Sequence, residues 1–553
     1  MKRLWRVAAR RDLFVYGLVS AMSALTMRKG NILSFLFQGQ LTSASDGKET
    51  KSYFAKRSYS TLPLLAAAGR TAADSDVALL TERGREGVFV FSKSNLSAKV
   101  KTDPAQGVYI ASSSDVTGAA GAWVRQFSDL IPEYFGSVGD GTSKSASPTI
   151  SAWIDYAKAN DIREIKADGH YYLPAGKQTI SEHAVSKGDP VFDLPTYYAV
   201  MIDGANDLTI DLSRATIITD HGTALCVYAS TQTRIINGTF LRTGTDDGVI
   251  SNQSAAICIT RSHACIGKGQ KVDGYYRNLM VYRASASGFE DYDSRNALYY
   301  CAYASSVLDI KLSGTPKRTF AFLRRGLHIG GRYGGALSDE SEVSGGRFYN
   351  CSPRNNSAAH IKTERMNVKW FDNKIYESAA QNSGDVINGI SVVPTISVGT
   401  AARAVIFNNK VRGCYIGINV RGVTDFQIRA NDIAGYFQTG LALVSDRLGG
   451  SQFALQRGIV TQNYIGAMAD DSSRRSIGND KNAGLQIEQN IALIDHLYVG
   501  HNTVDAVNGN IAKKPEFGMY VEVKAGAVGG ISTNRLIGAL TNRIPDQPSP
   551  NIR

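Results

Sequence analysis

Ile406-Phe407-Asn408-Asn409-Lys410-Val411 and Ile428-Arg429-Ala430-Asn431-Asp432-Ile433 share one pattern, apolar-x-x-Asn-x-apolar. It recurs at Trp370…Asn373…Ile375, Val460…Asn463…Ile465, Val499…Asn502…Val504 and Ile531…Asn534…Leu536, with an earlier copy at Tyr275…Asn278…Met280. From Asn373 onward the asparagines lie 36, 22, 32, 39 and 32 residues apart, so the loops vary while the core of the repeat does not. A second pattern, small-apolar-x-apolar, sits between the copies. It reads Gly326-Leu327-His328-Ile329, Ala358-Ala359-His360-Ile361, Gly389-Ile390-Ser391-Val392 and Gly417-Ile418-Asn419-Val420. Gly440-Leu441-Ala442-Leu443, Gly484-Leu485-Gln486-Ile487 and Gly518-Met519-Tyr520-Val521 continue it. Ala224-Leu225-Cys226-Val227, Ala256-Ile257-Cys258-Ile259 and Gly288-Phe289-Glu290-Asp291 fit more loosely.

The apolar period is two rather than 3.6, which indicates strands and disfavours helical repeats. Two short strands per coil cannot bury an apolar face alone, but parallel stacking of coils buries that face and pairs the backbone above and below. At a corner the recurring Asn tolerates left-handed backbone, and its amide can hydrogen-bond along the stack. The expected fold is therefore all-β: a right-handed parallel β-helix, a single-stranded solenoid. An N-terminal capping helix and a small N-terminal β module complete it.

Composition agrees. In 553 residues, 43% hydrophobic and 20% charged, a core can form; 54 Gly against 14 Pro provide many tight turns. No run reaches the roughly 18 apolar residues of a membrane span. The formal charge of +12 is concentrated in residues 1–60, where 11 Lys/Arg face 3 Asp/Glu. The remainder carries only +4, which disfavours a nucleic-acid-binding body and leaves an anionic polymer as a partner only where charge clusters locally. Cys226, Cys258, Cys265, Cys301, Cys351 and Cys414 contain no CxxC, so free buried thiols are expected rather than a zinc site.

Arg10-Arg11, the apolar stretch Leu13–Leu25 and the small residues Ser20-Ala21-Met22-Ser23-Ala24 have the form of an export signal, the alternative being an extended start. The expected organisation is a leader and linker (1–60), the small β module (61–131), the β-helix (132–540) and a tail (541–553). A secreted or periplasmic location follows, with a virion tail as the alternative.

Glu133-Tyr134-Phe135-Gly136-Ser137-Val138-Gly139-Asp140-Gly141-Thr142 precedes Ile150, Trp153, Ile154 and Ala157, spaced as one face of a helix that would cap the open end of the stack. Ile165-Lys166-Ala167-Asp168-Gly169-His170-Tyr171-Tyr172-Leu173 follows. This succession resembles the opening of the pectate-lyase-like superfamily: F-G-A-x-G-D-G, a capping helix, then V-x-x-P-x-G-x-Y-x-I. The family's Asp-Asp-Thr is Ser143-Lys144-Ser145 here, and Asp168 replaces its Pro. The preceding segment, with Gly87–Phe91 and Gly121–Gln126, looks like the module that precedes this opening in phage tailspikes and exopolysaccharide depolymerases.

Alternate strand residues point outward. Aligning the second pattern gives an outward column of Cys226, Cys258, Glu290, His328, His360, Ser391, Asn419, Ala442, Gln486 and Tyr520. The column two residues on reads Tyr228, Thr260, Tyr292, Gly330, Lys362, Val393, Arg421, Val444, Glu488 and Glu522. Ionisable groups concentrate in three coils. Glu290, Asp291 and Asp293 could serve as the two carboxyls of a glycosidase, and His328, His360 and Lys362 as the base and cation of a uronate lyase. Tyr292, Arg325, Arg332 and Glu364 are the expected substrate contacts.

Gly326-Leu327-His328-Ile329-Gly330 with His360-Ile361-Lys362-Thr363 resembles the G-H-G-L-S-I-G … R-I-K-T region of the polygalacturonase family. By that resemblance Lys362 matches the family Lys, His360 stands where its Arg would be, and Arg325 takes the place of its His. The family's Asp-Asp pair should lie a short coil before this, and the only adjacent pair in the region is Asp246-Asp247, about 80 residues away. The implied activity is cleavage of a bacterial exopolysaccharide or capsular polymer, by hydrolysis or β-elimination. The alternatives are a carbohydrate-binding tailspike adhesin and a periplasmic accessory factor in exopolysaccharide biosynthesis. No cofactor is expected. Calcium occurs in lyase relatives, and no compact acidic ligand set stands out. Lookalikes form homotrimers, although no heptads accompany that expectation here.

Overall fold

Inward-facing Leu, Ile and Val in adjacent coils stack into continuous columns, and the architecture follows from them. The computed structural model describes residues 57–142, 145–174, 176–177, 197–220, 222–243, 255–273, 281–282, 284–295, 299–302, 305–308, 311–313, 325–330, 341–349, 358–363, 368–376, 387–393, 401–448, 451–469, 482–489, 493–505, 517–523, 527–538 and 541–543. Among these, three large sheets contain 15, 13 and 13 strands, and nearly every pairing within them is parallel. This is a parallel β-helix. The long sheet places Ile390, Ile418, Leu441, Leu485 and Met519 in one buried column and Val392, Val420, Leu443, Ile487 and Val521 in the next. The second sheet contributes Trp370, Ile406, Ile428, Val460 and Val499, and the third Ile375, Val411, Ile433, Ile465 and Val504.

A coil therefore has three strands, not two. Apolar-x-x-Asn-x-apolar spans a bend: Val405–Phe407 belongs to the second sheet and Lys410–Arg412 to the third. The left-handed residue at that bend is the one before the Asn. Asp372, Asn408, Ala430, Gln462 and His501 have φ of 57°, 53°, 53°, 59° and 58°. The Asn itself turns inward and is buried, because a side chain on the following extended residue points into the stack. There it forms a ladder, with Asn373, Asn409, Asn431 and Asn463 each donating through Nδ2 to Oδ1 of the next Asn at 2.8–3.0 Å. Asn502 continues it to Asn534 at 2.9 Å. The earlier copy at Asn278 lies outside the described residues.

The helix Ser147–Ala159 covers the first coil. Ile150, Trp153, Ile154 and Ala157 are all buried, and Trp153 Nε1 donates to the Leu130 carbonyl at 2.9 Å. Gly139, at φ 65°, passes so near Gly169 that a Cβ on Gly169 would sit 2.8 Å from the Gly139 Cα. Before the helix, a five-stranded sheet packs Leu65, Ala78, Leu80, Phe89, Phe91, Ile110 and Trp123 into a separate small core. Arg125 is buried beneath it, stacked on Phe89 and Tyr134 and donating to the carbonyls of Gly107, Glu86 and Arg85. No described helix is long and apolar enough to cross a membrane. Residues 1–56 of the expected leader and linker lie outside the described residues, while Arg57–Tyr59 forms a strand of the five-stranded sheet.

Candidate functional site

The long sheet turns its second face away from the core, and a kink sets how its strands run. Gly389, Gly417, Gly440 and Gly484 stack where each strand enters the sheet. A Cβ on Gly417 would lie 2.3 Å from Ile433 Cγ2 and 2.5 Å from the Gly440 carbonyl oxygen. This close approach explains the small residue that opens the second sequence pattern. Beyond the kink, residues alternate regularly between core and outer face.

In the C-terminal coils, three outer columns are defined by register. The first is Asn388, Ile416 and Thr439; the second is Ser391, Asn419, Ala442, Gln486 and Tyr520; the third is Arg421, Val444, Glu488 and Glu522. Much of this face is buried, including Asn388, Ser391, Asn419, Thr439 and Tyr520, while Glu488 is half-buried and Glu522 exposed. Tyr415, Ile416, Phe437, Ala442 and Val444 form an apolar cluster of their own at its centre.

Hydrogen bonds order the polar groups around that cluster. Thr439 Oγ1 donates to Gln486 Oε1 at 3.0 Å, and Gln486 Nε2 donates to Glu488 Oε2 at 2.6 Å. Tyr520 OH donates to Glu522 Oε2 at 2.5 Å, and Arg421 Nε donates to Asn419 Oδ1 at 3.3 Å. Glu488 and Glu522 are register partners, so their backbones are one strand spacing apart, about 4.8 Å. The Oδ1 of buried Asn388 has no hydrogen-bond partner among the described residues. Two neighbouring carboxylates, each held by its own donor, can share the acid and base roles of a glycosyl transfer.

The expected site residues divide among all three sheets. Glu290 belongs to the second sheet, where it pairs in register with Lys268, whose Nζ is 3.2 Å from its Oε2. Asp291, at φ 48°, is the left-handed corner residue of that coil, and Asp293 is exposed on the third sheet opposite Lys271. Tyr292 is buried in the core, edge-on to Phe289 at 5.3 Å, and so is not a surface for sugars. The alignment with His328 fails because Ser287–Glu290 faces Phe289 inward as a second-sheet strand, and a further coil with Tyr299–Ala302 intervenes. Glu290 therefore does not join the histidine column.

His328 and Lys362 do belong to the long sheet, and they are register partners. His360 lies two residues earlier, level with Gly326 and Gly389 at the kink, because Ile361 rather than Ala359 pairs with Leu327. Register then runs from Tyr300 through His328, Lys362 and Ser391 to Asn419, joining this column to the C-terminal site. Arg325 pairs with Ala359 on the same sheet. Arg332, Glu364 and Asp246-Asp247 lie outside the described residues.

Glu488 and Glu522 were already legible as members of the second outward column, but without register nothing distinguished them from other outward carboxylates. Cys226 and Cys258 are register partners, free and buried. Their mutual hydrogen bond and burial push the Cys226 thiol well up. Among the described residues no group of three or more His, Cys, Asp or Glu is arranged to hold a metal ion.

No protein-family model matches the chain, and no curated protein does. Solved structures resemble it. The chain is 13% identical to a tailspike protein of Escherichia coli bacteriophage HK620, solved with a pentasaccharide, over 80% of this chain and 72% of that one, with a TM-score of 0.44. It is 14% identical to the A-module of a mannuronan C-5 epimerase from Azotobacter vinelandii, over 74% and 99%, with a TM-score of 0.36. For the glycan biofilm modifying enzyme WceF of Pantoea stewartii the identity is 12%, over 73% and 47%, with a TM-score of 0.28.

Proposed function

We propose that this protein cleaves glycosidic bonds of a bacterial exopolysaccharide or capsular polymer, with the outer face of the long sheet as its groove. The observation that carries the reading is the register pairing of Glu488 with Glu522, each carboxylate held by a separate donor, Gln486 or Tyr520. One carboxyl would protonate the leaving oxygen while its neighbour attacks the anomeric carbon or activates water. Gln486, itself fixed by Thr439, holds Glu488 in place, and Tyr520 does the same for Glu522. Asn388, Ser391, Asn419 and Arg421 supply hydrogen-bonding groups along the groove. His328 and Lys362, continuing its second column by register, are the candidates for contact with a more distant sugar. Elimination from a uronic acid remains the competing chemistry.

The test is incubation of the full chain with neutral and acidic bacterial polysaccharides, reading reducing ends and the absorbance of unsaturated uronates. New reducing ends without that absorbance, lost in Glu488→Gln and Glu522→Gln, support hydrolysis by the pair. Unsaturated products would shift the chemistry to elimination. Cleavage that both variants retain would remove the carboxylate pair from the reaction. A polymer bound without any cleavage would favour the adhesin reading.

A further inference from the structure

The third sheet presents a different chemistry, and it begins immediately after the asparagine ladder. Lys374 and Lys410, which follow the inward Asn373 and Asn409, are exposed and stand in register with residues of earlier coils. Register places Lys311 opposite Arg347, Arg347 opposite Lys374 and Lys374 opposite Lys410. Four cationic residues thus occupy consecutive positions of one column, spanning about 14 Å at one strand spacing each. Asp293 borders the column at one end and Asp432 at the other. Arg347, Lys374 and Lys410 are exposed, and none of them makes an ion pair among the described residues.

Several other surface cations are neutralised. Arg412 pairs with Asp432, Lys268 with Glu290, and Arg457 with Asp425 through two contacts of 2.6 and 2.9 Å. Like charges directly opposite one another on a sheet are unfavourable. Arg347, Lys374 and Lys410, consecutive in the column and without carboxylate partners among the described residues, leave a strip of positive potential that a regularly spaced polyanion would relieve.

We infer that this column is a docking strip for a linear acidic polysaccharide, separate from the groove on the long sheet. The strip is one residue wide. On one side the next outward column ends in Arg412, already neutralised; on the other, the corner carries Asp372, which accepts from Asn408 Nδ2 at 2.5 Å. A single extended chain with an anionic group on successive saccharides fits such a strip. A nucleic acid, whose binding commonly draws on some 6–10 phosphate contacts, finds too few cations and acidic ends. The strip would hold a polymer against the outside of the stack while bonds are cleaved elsewhere, and it does not depend on the chemistry proposed for Glu488 and Glu522.

The test measures retention of the full chain by immobilised polygalacturonate, by neutral dextran and by a single-stranded oligonucleotide, between about 50 and 200 mM salt. Expected is retention by the polyuronate that weakens with salt, no retention by dextran, and a loss of at least about tenfold in K374E/K410E. The exposed pair K93E/K101E makes the same change in net charge and retains binding. E488Q/E522Q also retains it, so a failure of the cleavage reading leaves this result intact. Absence of polyuronate retention at low salt overturns the proposal. Equal losses in K93E/K101E and K374E/K410E overturn it as well, since net charge alone then explains binding. Tighter retention by the oligonucleotide would replace it with a nucleic-acid surface.

Discussion

Asn431 donates through Nδ2 to Asn463 Oδ1 at 2.9 Å, while its own Oδ1 accepts from both the backbone N and the Nδ2 of Asn409 at 3.0 Å. The coil of Asn409 also supplies an acceptor, the Ile406 carbonyl, which takes a hydrogen bond from Asn431 Nδ2 at 3.0 Å. One buried amide thus ties coils on both sides of its own. Asn431→Ala strands the Asn409 amide groups and the Ile406 carbonyl, and should cost about 3–5 kcal/mol in chemical denaturation. Asn408→Gly, one turn earlier at an exposed left-handed position, should change stability by less than about 1 kcal/mol. Asn431→Asp adds a sign test. A buried carboxylate cannot donate to Ile406 or Asn463, so this variant should gain stability relative to wild type as acid protonates it.

Glu488 and Glu522 should behave as a unit. Each Gln substitution is expected to reduce polymer cleavage by about 100-fold or more, in keeping with the usual contribution of a positioned acid or base. The double variant should be little worse than either single one, because removing one partner already disables the pair. Gln486→Leu removes the donor that holds Glu488, and should lower kcat more than it raises KM. Steady-state kinetics on the polymer identified by the screen would measure all four.

The stacking itself was readable from the inward columns, because parallel coils require the same apolar residue types at the same two-residue period. The corner geometry was not. Asn tolerates left-handed backbone so well that Asn409 was the natural candidate, yet Asn408 takes that conformation and Asn409 spends its amide on the ladder. Register was the harder loss. Ala358-Ala359-His360-Ile361 satisfies the small-apolar-x-apolar pattern as written, but Ile361, not Ala359, fills the place of Leu327. A shift of two residues keeps the facing of every side chain, so alternation cannot detect it. Glu290 was misplaced for a related reason: Phe289 is as suitable for a second-sheet column as for the long sheet, and sequence periodicity does not tell which wall of a coil a short strand joins. Glu488 and Glu522 already stood next to each other in the aligned column; what the sequence did not show was that each is held by its own donor, Gln486 or Tyr520.

Gly417 offers a packing test. Its missing side chain admits Ile433 Cγ2 and the Gly440 carbonyl oxygen into space that a Cβ would occupy. Gly417→Ala should therefore destabilise by about 1–3 kcal/mol, the usual cost of overpacking, and should disturb the adjoining groove. At Gly529 the nearest atom to a new Cβ would be 3.8 Å away, and Gly529→Ala should fall within about 0.5 kcal/mol of wild type. Urea denaturation of the two variants in parallel gives the comparison.

Glu133 and Tyr171 provide a prediction in pH. Burial raises the Glu133 carboxyl above its ordinary range, and the hydrogen bond from Tyr171 OH at 2.7 Å opposes part of that rise. A carboxyl whose folded value lies above its unfolded value binds more protons in the native state across that interval. Stability must then fall as pH rises from the unfolded value, about 4.3, through the folded one. Glu133→Gln keeps an acceptor for Tyr171 and removes the buried charge. It should be more stable than wild type at neutral pH and indistinguishable from it below about pH 4. Tyr171→Phe should act in the opposite direction, because it deletes the donor that favours the ionised carboxylate and leaves the Gly169 amide, 3.1 Å from Tyr171 OH, without its acceptor. Its deficit should widen as pH rises across the same interval. Equal deficits at pH 4 and pH 7 would show that the loss is packing alone and that the Glu133 charge has no part in it.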